Sequence, residues 1–496
     1  MTLKRFGAMT AVGVAVVSLG LKCTEPPNVP EKPWGPDFAM KGVAYSCSTK
    51  TTHPDGKQVE YQFDWGDGSQ SAWSGLKDGG TPHGDTHTYN QEGPMSIKAR
   101  ARASGSGETE WSEPLNIVAS IGEGQVRKWF TYTDPEDPED SASFSLNTFG
   151  IGDEGLYIGC EYGRMLARDS SGSRRWEFPF WDFDDEFETG VAIADDGTAY
   201  IGCINDTFYA VDPSGTMKWS RDMMGAVYAT AAIGADGAVF TQSEGGVFCC
   251  FGPGGEQRWI DTLNAGGKSS PVIGTDGTVY ACTQEGFVVA FDPSTGTLKG
   301  EKFQVSGQAI NASPALDPDL SMLYVVDEDG KLVAIELPDM VVEKWAEQVG
   351  FDASSIVIGG NGRLYVSGGG RVYALDANSG SILWQTPDEL YQGGTASTPA
   401  VSESGYVYVL FSSGKKDLQG DEDTLYGLNP DLTRRWATAL GEGVTDDVFS
   451  SPKIDDKGFI YIGSGYRAWV IGGIGGPARS PWPMFQRDVR STGRAR

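Results

Sequence analysis

The chain has 496 residues, with 67 Asp and Glu against 39 Lys and Arg, for a formal net charge of -28. That length suits two or three domains, and an acidic field of that size repels phosphate backbones and argues against a nucleic-acid partner. Hydrophobic residues at 39% and aromatics at 11% suffice for a packed core and exclude a disordered chain, while 68 Gly and 26 Pro suit an all-β protein with many tight turns.

Residues 1–23 read as an export signal. Lys4 and Arg5 give a positive start, and Phe6 to Leu21 form an apolar run. The run falls short of the roughly 20 residues that span a bilayer as a helix. Cys23 follows, and residues 24–33, with Pro26, Pro27 and Pro30, read as a linker. The arrangement resembles a bacterial lipoprotein signal, which implies acylation of Cys23 and a flexible tether behind it. Lys22 stands where that pattern has a small residue, so lipidation, plain secretion and a retained anchor all stay open. The expected location is the periplasm or the cell surface, with membrane contact through the anchor alone.

Residues 34–120 read as a β-sandwich. Tyr61-Gln-Phe63-Asp-Trp65 alternates bulky residues and breaks at Gly66-Asp67-Gly68, a hairpin signal. His87-Thr-Tyr89, a turn at Gly93 and Met95-Ser-Ile97-Lys-Ala99-Arg-Ala101-Arg-Ala103 follow, the last alternating apolar with polar so that one face is buried. Trp65 to Gly68 followed by His87 to Tyr89 resembles the PKD domain, an immunoglobulin-like sandwich, and a fibronectin-type sandwich shares the architecture. The resemblance implies a structural part for His87. His83 and His87 have metal-ligand spacing, but in a strand-and-turn context no metal site is assigned.

Residues 121–476 carry an internal repeat. A strand core with Tyr or Phe recurs at Tyr157, Tyr200, Phe240, Tyr280, Tyr324, Tyr365, Tyr408 and Tyr461. Acidic or Gly-containing turns precede most of them, and a second strand with a turn running from Asp to Gly follows, as in the Asp-x-x-x-Gly of Tyr373-Ala-Leu-Asp376-Ala-Asn-Ser-Gly380. A Trp strand closes each unit at Trp129, Trp176, Trp219, Trp259, Trp345, Trp384 and Trp436, with Gly300 in the remaining slot. A period of about 40 to 50 residues is the size of one four-stranded propeller blade. Because Trp129 precedes the first Tyr strand and no Trp slot follows Tyr461, the Val126–Phe130 strand is expected to complete the last blade and close the ring. The predicted fold is all-β: an eight-bladed β-propeller, with seven blades as the fallback, preceded by an immunoglobulin-like β-sandwich.

The Tyr strand, the Asp376 to Gly380 turn and Trp384 resemble the PQQ-like (quinoprotein-type, BamB-like) repeat family, which includes an envelope lipoprotein of outer-membrane β-barrel assembly and the quinoprotein alcohol dehydrogenases. The tail, 477–496, resembles a segment at the ends of bacterial propellers of this type, and is expected to pack on the ring. Dehydrogenases of the family need a quinone, a metal ion, a catalytic Asp and a vicinal disulfide. Cys249-Cys250 is the only tempting match, and adjacent strand residues face opposite ways. Cys160, Cys203 and Cys282 read as small buried hydrophobes at a repeated position. No Gly-x-Ser-x-Gly, His-Glu-x-x-His or phosphate loop is present, and the repeat region has no histidine. Most acidic residues sit in turns that hold backbone amides.

No catalytic, cofactor-binding or metal-ligating residue is assigned, and the chain is read as a non-enzyme with no cofactor. The expectation is a cell-envelope scaffold for protein–protein interaction; the alternatives are a surface carbohydrate-binding or adhesion protein and, last, a divergent quinoprotein dehydrogenase. Partners would be envelope proteins or surface polysaccharide. Ser412 to Asp423 and Phe178 to Phe187 are candidate contact loops.

Overall fold

A computed structural model describes residues 25–495, apart from 36–37, 43, 92, 121–123, 132–148, 161–162, 170–172, 180–185, 263–265, 318, 320, 388–395, 412–421, 443–449, 465–466, 474, 481 and 489. Cys23 and the export signal lie outside the described residues, as does Ser412 to 421 of the first candidate loop. The described residues hold strands and turns and no helix, in two compact units, 1–120 and 121–496.

The first unit contains β1 (Phe38–Met40), β2 (Ala44–Thr49), β3 (Val59–Asp64), β4 (His83–Thr88), β5 (Gly93–Ala103) and β6 (Leu115–Ser120). One sheet runs β1-β6-β5-β3 and the other pairs β2 with β4. The alternation along β5 buries Met95, Ile97 and Ala99, which pack with Phe63, Trp65 and Tyr89, and Ala101, which packs with Val59 and Tyr61. Gly66 is required by its turn: its φ is +78°, and a Cβ there would lie 2.4 Å from the Ser96 nitrogen. The Tyr89 hydroxyl donates to the Trp65 carbonyl at 3.0 Å, tying the two halves of the sandwich motif together.

The second unit is a β-propeller. Among the described residues it has eight four-stranded antiparallel sheets. Sheets 1 to 7 occupy 150–179, 192–222, 232–262, 272–304, 315–348, 357–385 and 400–442. Sheet 8 takes three strands from 453–472 and its fourth from β7 (Val126–Thr131), paired antiparallel to Arg467–Gly472. Phe149, just before the first sheet, and Ile158 and Leu166 within it pack with Ala468 of the last, so the first and last sheets meet and the ring closes.

Burial explains the repeated strand pattern. Second and third strands are buried on both faces, as in Ala199–Gly202 and Val247–Phe251, and read as unbroken apolar runs. Fourth strands are largely exposed, as in Met217–Asp222, where Trp219 alone is buried, because they form the outer edge that meets water. A β-bulge recurs between third and fourth strands, at Ala210/Val211, Cys250/Phe251, Ala334/Ile335 and others. It delivers the Trp to the neighbouring sheet. The indole N–H groups of Trp176, Trp219, Trp259 and Trp345 donate to the carbonyls of Pro213, Pro253, Pro293 and Ala377 at 2.8 to 3.0 Å. In the same turns Gly215, Gly255, Gly296 and Gly380 lie on those rings, where a Cβ would come within 2.7 Å of ring carbon. Turn and Trp are therefore one device joining adjacent sheets.

Two positions depart from the expected Trp register. In sheet 4, Gly300 follows Lys299, whose N–H reaches Ala290 at 2.8 Å, and the fourth strand shrinks to Phe303–Gln304 with no indole to dock. In sheet 8 the residue opposite the bulge is Lys128, and Trp129 stands one place later, opposite Trp469.

Candidate functional site

The first strands of neighbouring sheets touch, so they line the inside of the ring. A chain of hydrogen bonds links their amino-terminal approaches: Gly190 N–H donates to Thr230 Oγ1, Thr230 to Ser270 Oγ, Ser270 to Ser313 Oγ, Ser313 to Ser355 Oγ and Ser355 to Thr398 Oγ1, at 2.8 to 3.2 Å. Each pairs a buried amide with a hydroxyl of the next sheet. The signal was present in the sequence as a hydroxyl residue every 40 to 43 positions, a spacing the Tyr and Trp repeat overshadowed.

The carboxyl-terminal ends of the same strands are taken by the tail. Ile193, Ile233, Ile273, Ile358 and Val401 donate their N–H groups to carbonyls of Arg490, Thr492, Gly493, Trp482 and Pro483 at 2.6 to 2.9 Å. Trp482 and Met484 are buried in the ring. Lys453 is buried, its ammonium donating to the carbonyls of Phe485 and Asp488. Burial pulls its pKa down to about 7, with Asp488 opposing. Arg490 bridges Asp153 and Asp195 of the first two sheets at 2.7 and 2.9 Å.

The opposite end of the ring has a different surface. Two residues before Gly190 and before each of the five hydroxyls of the inner chain stand, in successive sheets from the second, Glu188, Tyr228, Lys268, Asn311, Ala353 and Ala396. Lys268 lies over the Tyr228 ring at 4.3 Å and 3.7 Å from Glu244. Gln284 donates to Glu244 at 3.3 Å, and Asn311 donates to Glu328. Burial raises the Tyr228 pKa, and the charges of Glu188, Glu244 and Glu186 raise it further. Met224 and Phe351 project from loops of the same end at 58% and 65% exposure. Met224 has a φ of +53°, an unusual conformation for a bulky residue.

The other sequence candidates resolve as follows. Phe178 and Phe187, at the described ends of the second candidate loop, pack against Tyr209 at 6.5 and 6.0 Å. Asp423, at the end of the first loop, is buried and accepts from Ser464 Oγ at 2.6 Å. Cys249 and Cys250 are free thiols in one regular strand and enter different core clusters; burial pushes both pKa values up to about 12. Cys160, Cys203 and Cys282 are buried. His87 Nε2 meets Asp67 Oδ2 at 2.7 Å and its ring stacks on Trp65 at 5.0 Å, while His83 stacks on Tyr61. Turn aspartates serve their own turns: Asp292 accepts from the Ser294 hydroxyl and the Ser294 and Thr295 amides, which bring its pKa to about 2.

One feature of the first unit escaped the sequence reading. Ser71, Ser74, Thr109 and Ser112 accept from backbone N–H groups of Phe63, Tyr61, Ala101 and Ala99 along both edges of the β3–β5 pair. Between them Arg100 lies over Trp73 and Trp111, and Arg102 over Trp73, at 4.2 to 5.4 Å. The arginines thereby engage the two indoles across the β3–β5 pair.

Comparison with known proteins agrees with the fold. The family model described as outer membrane protein assembly factor BamB matches residues 163–339 and 305–475, more than half of the chain. The crystal structure of BamB from Moraxella catarrhalis is similar at 18% identity and a TM-score of 0.56, covering 70% of this chain and 99% of that one. The carboxyl-terminal WD40 domain of Sif2 is similar at 14% identity and a TM-score of 0.54, covering 71% of this chain and 100% of that one. The PKD domain of an M14-like peptidase from Thermoplasmatales archaeon SCGC AB-540-F20 aligns at 30% identity over 19% of this chain and 95% of that one, with a TM-score of 0.18. No curated protein sequence matches.

Proposed function

For a chain that belongs to the family described as outer membrane protein assembly factor BamB, we propose a non-catalytic scaffold of the cell envelope that binds a protein partner through the acidic end of its propeller. The observation that carries this reading is the contrast between the two ends. The tail occupies the inner strands at one end, and exposed Met224 and Phe351 stand beside Glu188, Glu244 and Glu328 at the other. Apolar anchors rimmed by charge are the usual composition of a transient protein interface. The acidic rim would steer a basic partner surface and make association salt-dependent.

The residues of the acidic end support binding better than catalysis. Lys268 is engaged by Tyr228 and Glu244, and no cluster of three or more metal-ligating side chains occurs among the described residues. Cys23 would hold the protein at a membrane, with the linker letting the propeller reach its partner.

The test is crosslinking in native cells, purification from the membrane fraction and mass spectrometry of what is recovered. Outer-membrane assembly proteins are the expected product. Recovery of polysaccharide or surface-layer material without them would replace the scaffold by an adhesion protein.

A further inference from the structure

On the tail side of the ring, the gap between sheets 3 and 4 is a cleft of about 600 Å³. Phe240, Ile273 and Pro293 give it an apolar wall, and Asp236, Arg258 and Arg494 supply its charges. A smaller cleft of about 250 Å³ between sheets 2 and 3 shares Gly234, Ala235 and Arg494. The larger volume lies in the range of small-molecule sites, roughly 300 to 1,000 Å³.

The charges do not balance. Asp236 holds Arg258 at 2.5 Å, Asp196 of the smaller cleft holds Lys218 at 3.3 Å, and Asp195 holds Arg490 at 2.9 Å. The Arg494 guanidinium is partly buried between the two clefts and has no ion-pair or hydrogen-bond partner among the described residues. Its backbone is fixed by the tail, with Ile273 donating to Gly493 at 2.8 Å and Ala495 donating to Ile273 at 2.8 Å. The residue is therefore placed by the fold beside both clefts, with no acid partner for its guanidinium among the described residues. In a chain whose formal net charge is -28, a cation left unpaired beside an apolar wall is a distinct site. A planar guanidinium in a partly desolvated setting selects a carboxylate, which it can hold with two hydrogen bonds.

We propose that this cleft binds a small organic carboxylate with an apolar body, the carboxylate on Arg494 and the body against Phe240, Ile273 and Pro293. The site lies at the end of the ring away from the acidic face and does not depend on that face having a partner.

The experiment titrates the full chain with 4-phenylbutyrate and with its neutral amide, by calorimetry. The acid is expected to bind at least about tenfold more tightly than the amide, a difference of about 1.4 kcal/mol. Arg494→Gln should bring the acid down to the level of the amide. Thr275→Trp, at an exposed position on the cleft wall, should weaken both, and unchanged melting temperatures would show that both variants fold. Equal binding of acid and amide, no binding of either at several millimolar, or an Arg494→Gln variant that binds the acid as the parent does would overturn the assignment. So would inorganic phosphate binding as tightly as the acid, because the apolar wall would then be idle. Partner recovery by Arg494→Gln in the native-cell crosslinking separates the two claims: a lost cleft with a kept partner leaves the scaffold standing.

Discussion

The two ends of the propeller are built from the same strands and finished in opposite ways. At one end the tail satisfies the inner strands with backbone hydrogen bonds and buries Trp482 and Met484, even at the expense of left-handed backbone at Gln486, Arg487 and Ser491. At the other, loops carry Glu188, Tyr228, Lys268 and Asn311 around the opening and expose Phe351. The first end holds the fold together; the second is left unlike its neighbours from sheet to sheet, as a surface selected for recognition would be. Side chains that repeat serve the ring, and side chains that differ are the ones the proposed scaffold would present to a partner.

The contrast breaks most severely if the tail is removed. Deleting 477–496 should lower propeller stability by roughly 5 kcal/mol or more, since burying each large apolar side chain contributes about 1.5 to 3 kcal/mol and each hydrogen bond about 1. Denaturant unfolding measures it, and a truncated chain as stable as the parent would contradict a structural tail. Trp259→Ala should cost roughly 3 kcal/mol, because it empties the joint of sheets 3 and 4 and unpairs the Pro293 carbonyl. Sheet 4, with Gly300 and no indole, provides the internal comparison: Gly300→Ala should cost far less than Gly296→Ala, whose Cβ would strike the Trp259 ring at 2.6 Å.

Thr230→Val should cost about 1 to 2 kcal/mol by leaving the buried Gly190 amide without an acceptor. The pH dependence sharpens the tail's part. Lys453 has a folded pKa near 7, below its unfolded value, so the unfolded chain binds more protons between those two values. Stability should therefore rise with pH above about 7 through this group. Lys453→Met should flatten that rise when the two proteins are compared by thermal unfolding across the range. At the acidic end the stability effects should be smallest: Glu188→Gln with Glu244→Gln should change unfolding by less than about 0.5 kcal/mol while weakening partner capture and its salt dependence.

Much of this was readable in the chain. The apolar Tyr strands, the Asp-to-Gly turns and the Trp strands carried the propeller, because a doubly buried strand and a positive-φ turn each demand particular residues. Trp65-Gly66-Asp67-Gly68 carried the sandwich motif for the same reason. The register of Trp129 in sheet 8 was not readable: it stands opposite Trp469, one place from the slot beside the bulge that Trp219 and Trp259 take in their sheets. The hydroxyl chain hid in loops, where Thr230 or Ser313 looks like any turn residue. The acidic end was the least legible: Glu188, Tyr228, Lys268 and Asn311 are brought together by the ring alone, with no shared residue type to mark them.

The most direct test places a photo-crosslinking residue at Phe351, on the acidic end, and in a second protein at Val341, 69% exposed in a turn of sheet 5 toward the tail end. In native cells, Phe351 should capture an envelope protein that Val341 does not, and Glu188→Gln with Glu244→Gln should reduce the capture. Equal capture from both positions, or capture from Val341 alone, would contradict the acidic end as the binding face.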